Sequence, residues 1–317
     1  MTAGWSRRGA LALGLGGFAA ACAGSGGEPF RIGFQKNGVL FVARERGGTD
    51  AALKGAGEVR TVWSEFASGP PLLEALAAKA IDFGSTGDAP PIFAQASGAD
   101  LVYVAAVPLS GRAGAMLVRA DSPVRTLTDL RGRKLAYTRG SSAHVSADSL
   151  LATAGLSLAD VQSVNLGVAD GGPALQRGDV DAWFTWDPFY ATAQQTGALR
   201  VLSSGEQGRR SYQFYLANRA FAEGQPAVMT AMLKHLLAEG VWAENNDTEV
   251  AAMMSRATGV PEPIQRVVAE RQDYAIGPMT SQIVADQQAL ADRLAAEGIA
   301  SKRVTVADAV WRGWTRR

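Results

Sequence analysis

One cysteine in 317 residues, Cys22, leaves no pair for a disulfide, so the folded state has to rest on its apolar core. Histidine is nearly as scarce, with His144 and His235 alone. His144 and Asp148 have the i, i+4 spacing that brings side chains together on a helix, but two ligands do not make a zinc site. Neither a metal nor a cofactor is expected. The chain has no Gly-x-Ser-x-Gly, His-Glu-x-x-His or Gly-Lys-Ser/Thr element, which removes the commonest hydrolase, metalloprotease and phosphate-loop chemistries. Formal charge is +1, and without a basic surplus nucleic acid is not an expected partner. Beyond Cys22, charges interrupt every apolar run before it reaches the roughly 20 residues a membrane-spanning helix needs. The balance of 47% hydrophobic to 19% charged residues still supplies an ample globular core.

The first 22 residues stand apart. Arg7-Arg8, a short Gly/Ala/Leu segment and Ala19-Ala20-Ala21 have the three-part layout of a bacterial export signal. Ser6-Arg7-Arg8 is similar to a twin-arginine signal, although Gly9, Ala10 and Leu11 depart from the preferred residues after the pair. Ala19-Ala20-Ala21-Cys22 resembles a lipobox, in which the cysteine is acylated, with Ala19 where leucine is usual. Plain cleavage at an Ala-x-Ala site is the alternative. Residues 1–22 are therefore read as an export signal and 23–29 as a flexible Gly/Ser tether, placing the working protein outside the cytoplasm. Loss of the two arginines brings the formal charge to about −1.

From residue 30 onward one unit recurs: an apolar strand, a polar turn, then a helix. Phe30–Phe34, Val59–Phe66, Ile81–Gly84 and Leu101–Val107 read as strands of a first half, the last apolar throughout, as strands buried in parallel sheets are. Ala115–Arg119, Lys134–Thr138, Val164–Val168 and Val180–Trp186 repeat the pattern, with helices over Ala143–Ala154 and near Gly172–Arg177. From Pro226 the chain is mostly helical. Alternating elements of this kind predict parallel-rich sheets covered by helices on both faces. Ligands of such sheets bind beyond the carboxyl ends of the strands. Four polar clusters fall there: Gln35–Gly38, Ser85–Asp88, Gly140–Ser142 and Trp186-Asp187-Pro188. Two belong to each half, which predicts a cleft between two lobes.

Ser85-Thr86-Gly87 and Gly140-Ser141-Ser142 each combine hydroxyls, a glycine and a following helix start. That combination suits an anion, because the free N–H groups of a first helical turn point at it and glycine permits close approach. Each serine is equally a candidate helix cap. Asp88 and Asp187, just ahead of Pro90 and Pro188, read as N-caps that are also placed to meet a cationic group on a ligand. Trp186, at a strand end, is the residue expected to cover an alkyl chain.

With those residues in view, the chain resembles the aliphatic sulfonate-binding proteins of bacterial ABC importers. The run Ile81–Val104, with Ser-Thr-Gly-Asp-Ala-Pro-Pro inside it, carries most of the likeness. Arg31–Lys36, Gly140–His144, Val180–Trp183 and Trp186–Pro188 follow the same family in the same order. The resemblance implies an α/β, two-lobed periplasmic binding protein fold of type II, with lobe 1 over 30–117 plus 217–317 and lobe 2 over 118–216. The crossings are placed near Met116–Asp121 and Tyr212–Asn218. It implies that Gln35, Ser85, Thr86, Ser141 and Ser142 hold sulfonate oxygens, with Trp186 near the organic group and Gly87, Asp88, Gly140, His144 and Asp187 around them. It also implies no catalysis, a monomer, and delivery of an alkanesulfonate to a membrane permease with its cytoplasmic ATPase. Taurine, nitrate and other small oxyanions are the alternative ligands, and a cysteine-dependent desulfinase is the enzymatic one. Taurine's ammonium would need Asp88, Asp187 or Glu65. Gly171-Gly172 replaces a more polar stretch expected at the rim of the cleft.

Overall fold

The computed structural model describes residues 28–57 and 60–314; the readings made for the export signal, Cys22 and most of the tether lie outside the described residues. Its strands are β1 (Phe30–Phe34), β2 (Thr61–Glu65), β3 (Phe83–Gly87), β4 (Leu101–Leu109), β5 (Gly114–Arg119), β6 (Lys134–Tyr137), β7 (Gln162–Asn165), β8 (Ala182–Trp186), β9 (Leu199–Ser204) and β10 (Ser211–Asn218). They form two sheets, ordered β2-β1-β3-β10-β4 and β7-β6-β8-β5-β9. In each five-stranded sheet four strands run in one direction and one, β10 or β5, is antiparallel to both its neighbours. The two-lobed α/β architecture is thus present, with mixed sheets.

The chain crosses between the sheets twice. β4 closes the first sheet and the chain passes over residues 110–113 into β5; β9 closes the second and the chain returns over residues 205–210 into β10. These passages precede the expected ones, which fell inside β5 and β10. Both strands are apolar and buried along most of their length, so in sequence they look the same whether they pair within a sheet or bridge two. The passages touch: Gly111 has φ +84, and a Cβ there would stand 2.9 Å from the Gly205–Glu206 backbone.

β4 also differs from its expected place. It is an edge strand, antiparallel to its one full partner. Its apolar run is explained by cover from elsewhere in the chain, with isolated bridges to Gly277 and Val310 and packing from the 3-10 turn Val306–Ala309. Such cover protects an edge from pairing with other chains.

Both faces of each sheet are packed. In the first lobe one layer is built on Phe30, Phe41, Tyr215 and Met232 and the other on Leu72, Ile92, Phe214 and Leu290. In the second lobe Met116, Leu135 and Leu150 lie on one side and Leu117, Leu175 and Trp183 on the other. Each large apolar side chain so buried contributes about 1.5–3 kcal/mol.

Gly171 and Gly172 sit inside the helix Val168–Arg177, buried against Trp183, and not on the rim of the cleft. A Cβ at Gly171 would lie 2.2 Å from the indole Nε1 and 2.4 Å from Cε2. Gly171→Ala gains about 1 kcal/mol of helix propensity but meets an overpacking cost of about 1–3 kcal/mol. Because 2.2 Å is far inside contact distance, the upper end of that balance, a net destabilisation of about 2 kcal/mol, is expected in denaturant titrations. Unchanged or higher stability would mean that Trp183 swings aside.

Candidate functional site

The carboxyl ends of β1, β3, β6 and β8 face one another across a cavity of about 170 Å³ between the lobes. That is below the ≈ 300–1,000 Å³ of pockets for drug-sized ligands, so the space suits a small molecule. Gln35, Thr86, Gly87, Asp88, Ser141, Ser142, Trp186 and Asp187, eight of the eleven ligand residues read from the sequence, line it. The other three sit just behind. Ser85 is buried one residue down β3, its Oγ accepting from Gln213 Nε2 at 3.2 Å. Gly140 turns the chain at φ +75 and donates its N–H to His144 Nδ1 at 3.4 Å. His144 is stacked on Tyr137 at 4.9 Å and, across the lobe boundary, on Phe93 at 6.5 Å. Burial lowers its pKa, in favour of the neutral ring. Asp148 meets Arg293 of the first lobe at 3.3 Å, and no cluster of three metal-ligating side chains occurs among the described residues.

The two neighbouring serines divide the roles that the sequence left open. Ser141 caps the helix Ser142–Thr153: its Oγ accepts from Ala143 N at 3.2 Å and donates to Thr138 O at 2.7 Å. Ser142 Oγ is buried with no partner. Thr86 Oγ1, on the opposite lobe, is in the same condition. A buried hydroxyl without an acceptor forfeits about 1–3 kcal/mol, and both hydroxyls belong to residues that line the one cavity. Gln35 is fixed by donating from Nε2 to Ser85 O at 3.2 Å.

Neither aspartate stands alone. Asp88, fully buried, makes no side-chain cap to the following helix Ala89–Ala96; its Oδ2 accepts from Arg209 Nη2. Asp187 does bond the first turn of its helix, Oδ1 accepting from Ala191 N at 2.9 Å, and it also meets Arg271 of the first lobe at 3.5 Å. Burial pushes its carboxyl up to about 6 in spite of that arginine. Glu65 is paired with Lys36 at 3.0 Å. Every carboxylate foreseen for an ammonium is therefore already matched by a cation.

Sequence reading missed Arg209, Tyr212 and Gln213, which line the cavity from the return passage and β10, and Phe184, which adds an apolar wall beside Trp186. Position along β8 gave a signal for Phe184, two residues before Trp186 on the same face of a strand. Arg209 had none, since its partner Asp88 lies 121 residues away.

The NMT1/THI5-like family profile matches residues 71–246. A putative aliphatic sulfonates-binding protein of Escherichia coli is 37% identical over 92% of this chain and 91% of its own. The alkanesulfonate-binding protein SsuA from Xanthomonas axonopodis pv. citri, solved bound to MOPS, superposes with a TM-score of 0.84 at 35% identity, over 90% of this chain and 99% of that one. The periplasmic aliphatic sulphonate binding protein SsuA from Escherichia coli gives 0.82 at 35% identity, over 92% and 94%. A fold and a sequence shared almost end to end lead to one conclusion: this chain belongs to the NMT1/THI5-like family and, within it, to the aliphatic sulfonate-binding proteins.

Proposed function

We propose that the protein captures aliphatic sulfonates outside the cytoplasm and delivers them to the permease of an ABC importer for sulfur acquisition, without chemistry on the ligand. The observation that carries this reading is the pair of buried, unpartnered hydroxyls, Thr86 Oγ1 and Ser142 Oγ, on opposite walls of one cavity. Sulfonate oxygens supply the missing acceptors, and the amino end of the helix Ser142–Thr153 adds roughly 0.3–1 kcal/mol for a negative charge. Trp186, Phe184 and Leu109 offer apolar surface for the alkyl part. The relatives named for sulfonate binding, one of them solved with the sulfonate MOPS, support the same ligand class. Pairing of Asp88, Asp187 and Glu65 with arginine or lysine favours alkanesulfonates over taurine. A desulfinase reading requires a cleft cysteine, and none follows Cys22 in the sequence. The protein acts as a monomer in this reading, and a lipid at Cys22 is its tie to the membrane.

A thermal-shift panel tests it: linear alkanesulfonates, taurine, sulfate and nitrate. A ligand that binds only the folded state stabilises it by about 2.7 kcal/mol at a hundred times its Kd. Upward shifts with alkanesulfonates and none with nitrate or sulfate are expected; a shift with nitrate, sulfate or taurine alone replaces the ligand. Thr86→Ala combined with Ser142→Ala should weaken alkanesulfonate binding at least tenfold, about 1.4 kcal/mol, by calorimetry. Unchanged affinity in the folded double variant would remove these hydroxyls from the site.

A further inference from the structure

Asp88 poses an electrostatic problem. It is a fully buried carboxylate on the wall of a cleft read as an anion site, and like charges at close range in a poorly screened interior repel strongly. Arg209 answers it. Its Nη2 donates to Asp88 Oδ2, its Nη1 donates to Arg210 O at 2.6 Å, and its backbone N–H donates to Ser149 Oγ at 3.0 Å. The guanidinium is thus held at both ends while its Nε remains buried with no acceptor. Arg209 lines the same cavity as Thr86 and Ser142, so three of the residues lining it carry a buried donor without a partner: one from each lobe and one from the passage between them.

We infer that Arg209 is the cationic contact for the ligand's anionic group and that Asp88 is a positioning residue, which orients the guanidinium and leaves the Nε side for the ligand. This rests on the oxyanion-binding reading above. Arginine stays charged at any working pH and presents a fixed fork of donors, and hydrogen bonds from it to an anion are about twice as strong as neutral ones. Because Arg209 lies in the return passage over residues 205–210, a ligand bound to it joins both lobes to the passage between them. The contact reads the headgroup, so its effect is independent of alkyl chain length.

Calorimetry on the purified chain with ethanesulfonate, pentanesulfonate and taurine, at low and high salt, tests this. Arg209→Gln alone strands a buried carboxylate, which is itself destabilising; the neutral pair Asp88→Asn with Arg209→Gln avoids that, and melting curves establish that it folds. The pair should lose at least a hundredfold in affinity for both alkanesulfonates alike and lose most of the salt dependence. Asp88→Asn alone should lose at least tenfold, and Arg209→Lys should fall between it and wild type. Against the Arg209→Gln background, Asp88→Asn should cost less than a further threefold, the non-additivity expected of a residue that acts through another. Near-wild-type affinity in the folded neutral pair, or in Arg209→Lys and Arg209→Gln together, would overturn the inference and leave the sulfonate reading standing. Loss of taurine alone in Asp88→Asn would overturn it too, assigning the unpartnered Asp88 Oδ1 to an ammonium. Failure of the wild-type protein to bind any of the three would overturn both.

Discussion

Gly87→Val is expected to hold the two lobes apart and to lower alkanesulfonate affinity at least a hundredfold while the fold stays intact. Gly87 ends β3 and touches the other lobe: a Cβ there would stand 1.9 Å from Ser142 Oγ and 2.9 Å from Ser142 Cβ. Its backbone is extended strand and accepts an L side chain without strain. Within one rigid core such a clash costs about 1–3 kcal/mol or more. Between two lobes it can be relieved by rigid-body opening, so the cost is transferred from stability to closure. A hundredfold loss corresponds to about 2.7 kcal/mol, within that range. Calorimetry gives the affinity, and small-angle scattering should show a radius of gyration that ligand no longer reduces. Gly87→Ala with Ser142→Gly, which removes the opposing side chain, should recover the closure. Wild-type affinity in Gly87→Val would mean that Ser142 and its helix give way instead.

Arg271→Ala should make binding steeply pH-dependent. Arg271 ends the helix Glu262–Arg271 of the first lobe and reaches three groups of the second: the Tyr190 ring at 4.3 Å, Gln194 Oε1 at 2.7 Å and Asp187 Oδ1 at 3.5 Å. Asp187 is buried where the lobes meet, and its carboxyl is pushed up to about 6 by that burial, with Arg271 opposing the shift. A carboxyl raised above its unfolded value favours the fold fully below about pH 4. That contribution is lost as pH rises through 6, because the unfolded chain gives up its proton first. Without Arg271 the raised pKa climbs further. Stranding a buried charge costs about 3–5 kcal/mol, so at pH 8 the variant should bind alkanesulfonate at least a hundredfold more weakly than wild type. At pH 5, where Asp187 is protonated, the loss should shrink to about tenfold or less. A second substitution, Asp187→Asn, should abolish the difference between the two pH values. Equal losses at both would assign the effect of Arg271 to its Tyr190 and Gln194 contacts.

Much of this protein was legible from local pattern. The alternation of apolar strand, polar turn and helix start is a property of a few consecutive residues, so it identified the strand–turn–helix units and put the polar clusters at the strand ends where ligands of α/β sheets bind. Ser-Thr-Gly-Asp ahead of Pro90-Pro91, Gly-Ser-Ser ahead of the helix Ser142–Thr153, and Trp186-Asp187 all arrive at the cavity for that reason. What local pattern does not carry is the identity of a partner far away in the chain. Asp88 and Asp187 have the same look in sequence, a carboxylate before a proline-bearing helix start, yet one holds Arg209 in the return passage and the other caps its helix and clasps Arg271 of the opposite lobe. Ser141 and Ser142 are adjacent hydroxyls, and only the direction of the helix they open makes the first a cap and leaves the second facing the cleft. β4 reads as an interior strand because its side chains are apolar, but its edge position follows from the β10 pairing and from cover supplied some 170–200 residues later. Periodicity and residue type are enough to set the units, their order and the chemical character of the cleft. The tertiary structure alone decided which charges cancel, which hydroxyls remain free and where the chain crosses between lobes, since each depends on contacts between residues that no local period relates.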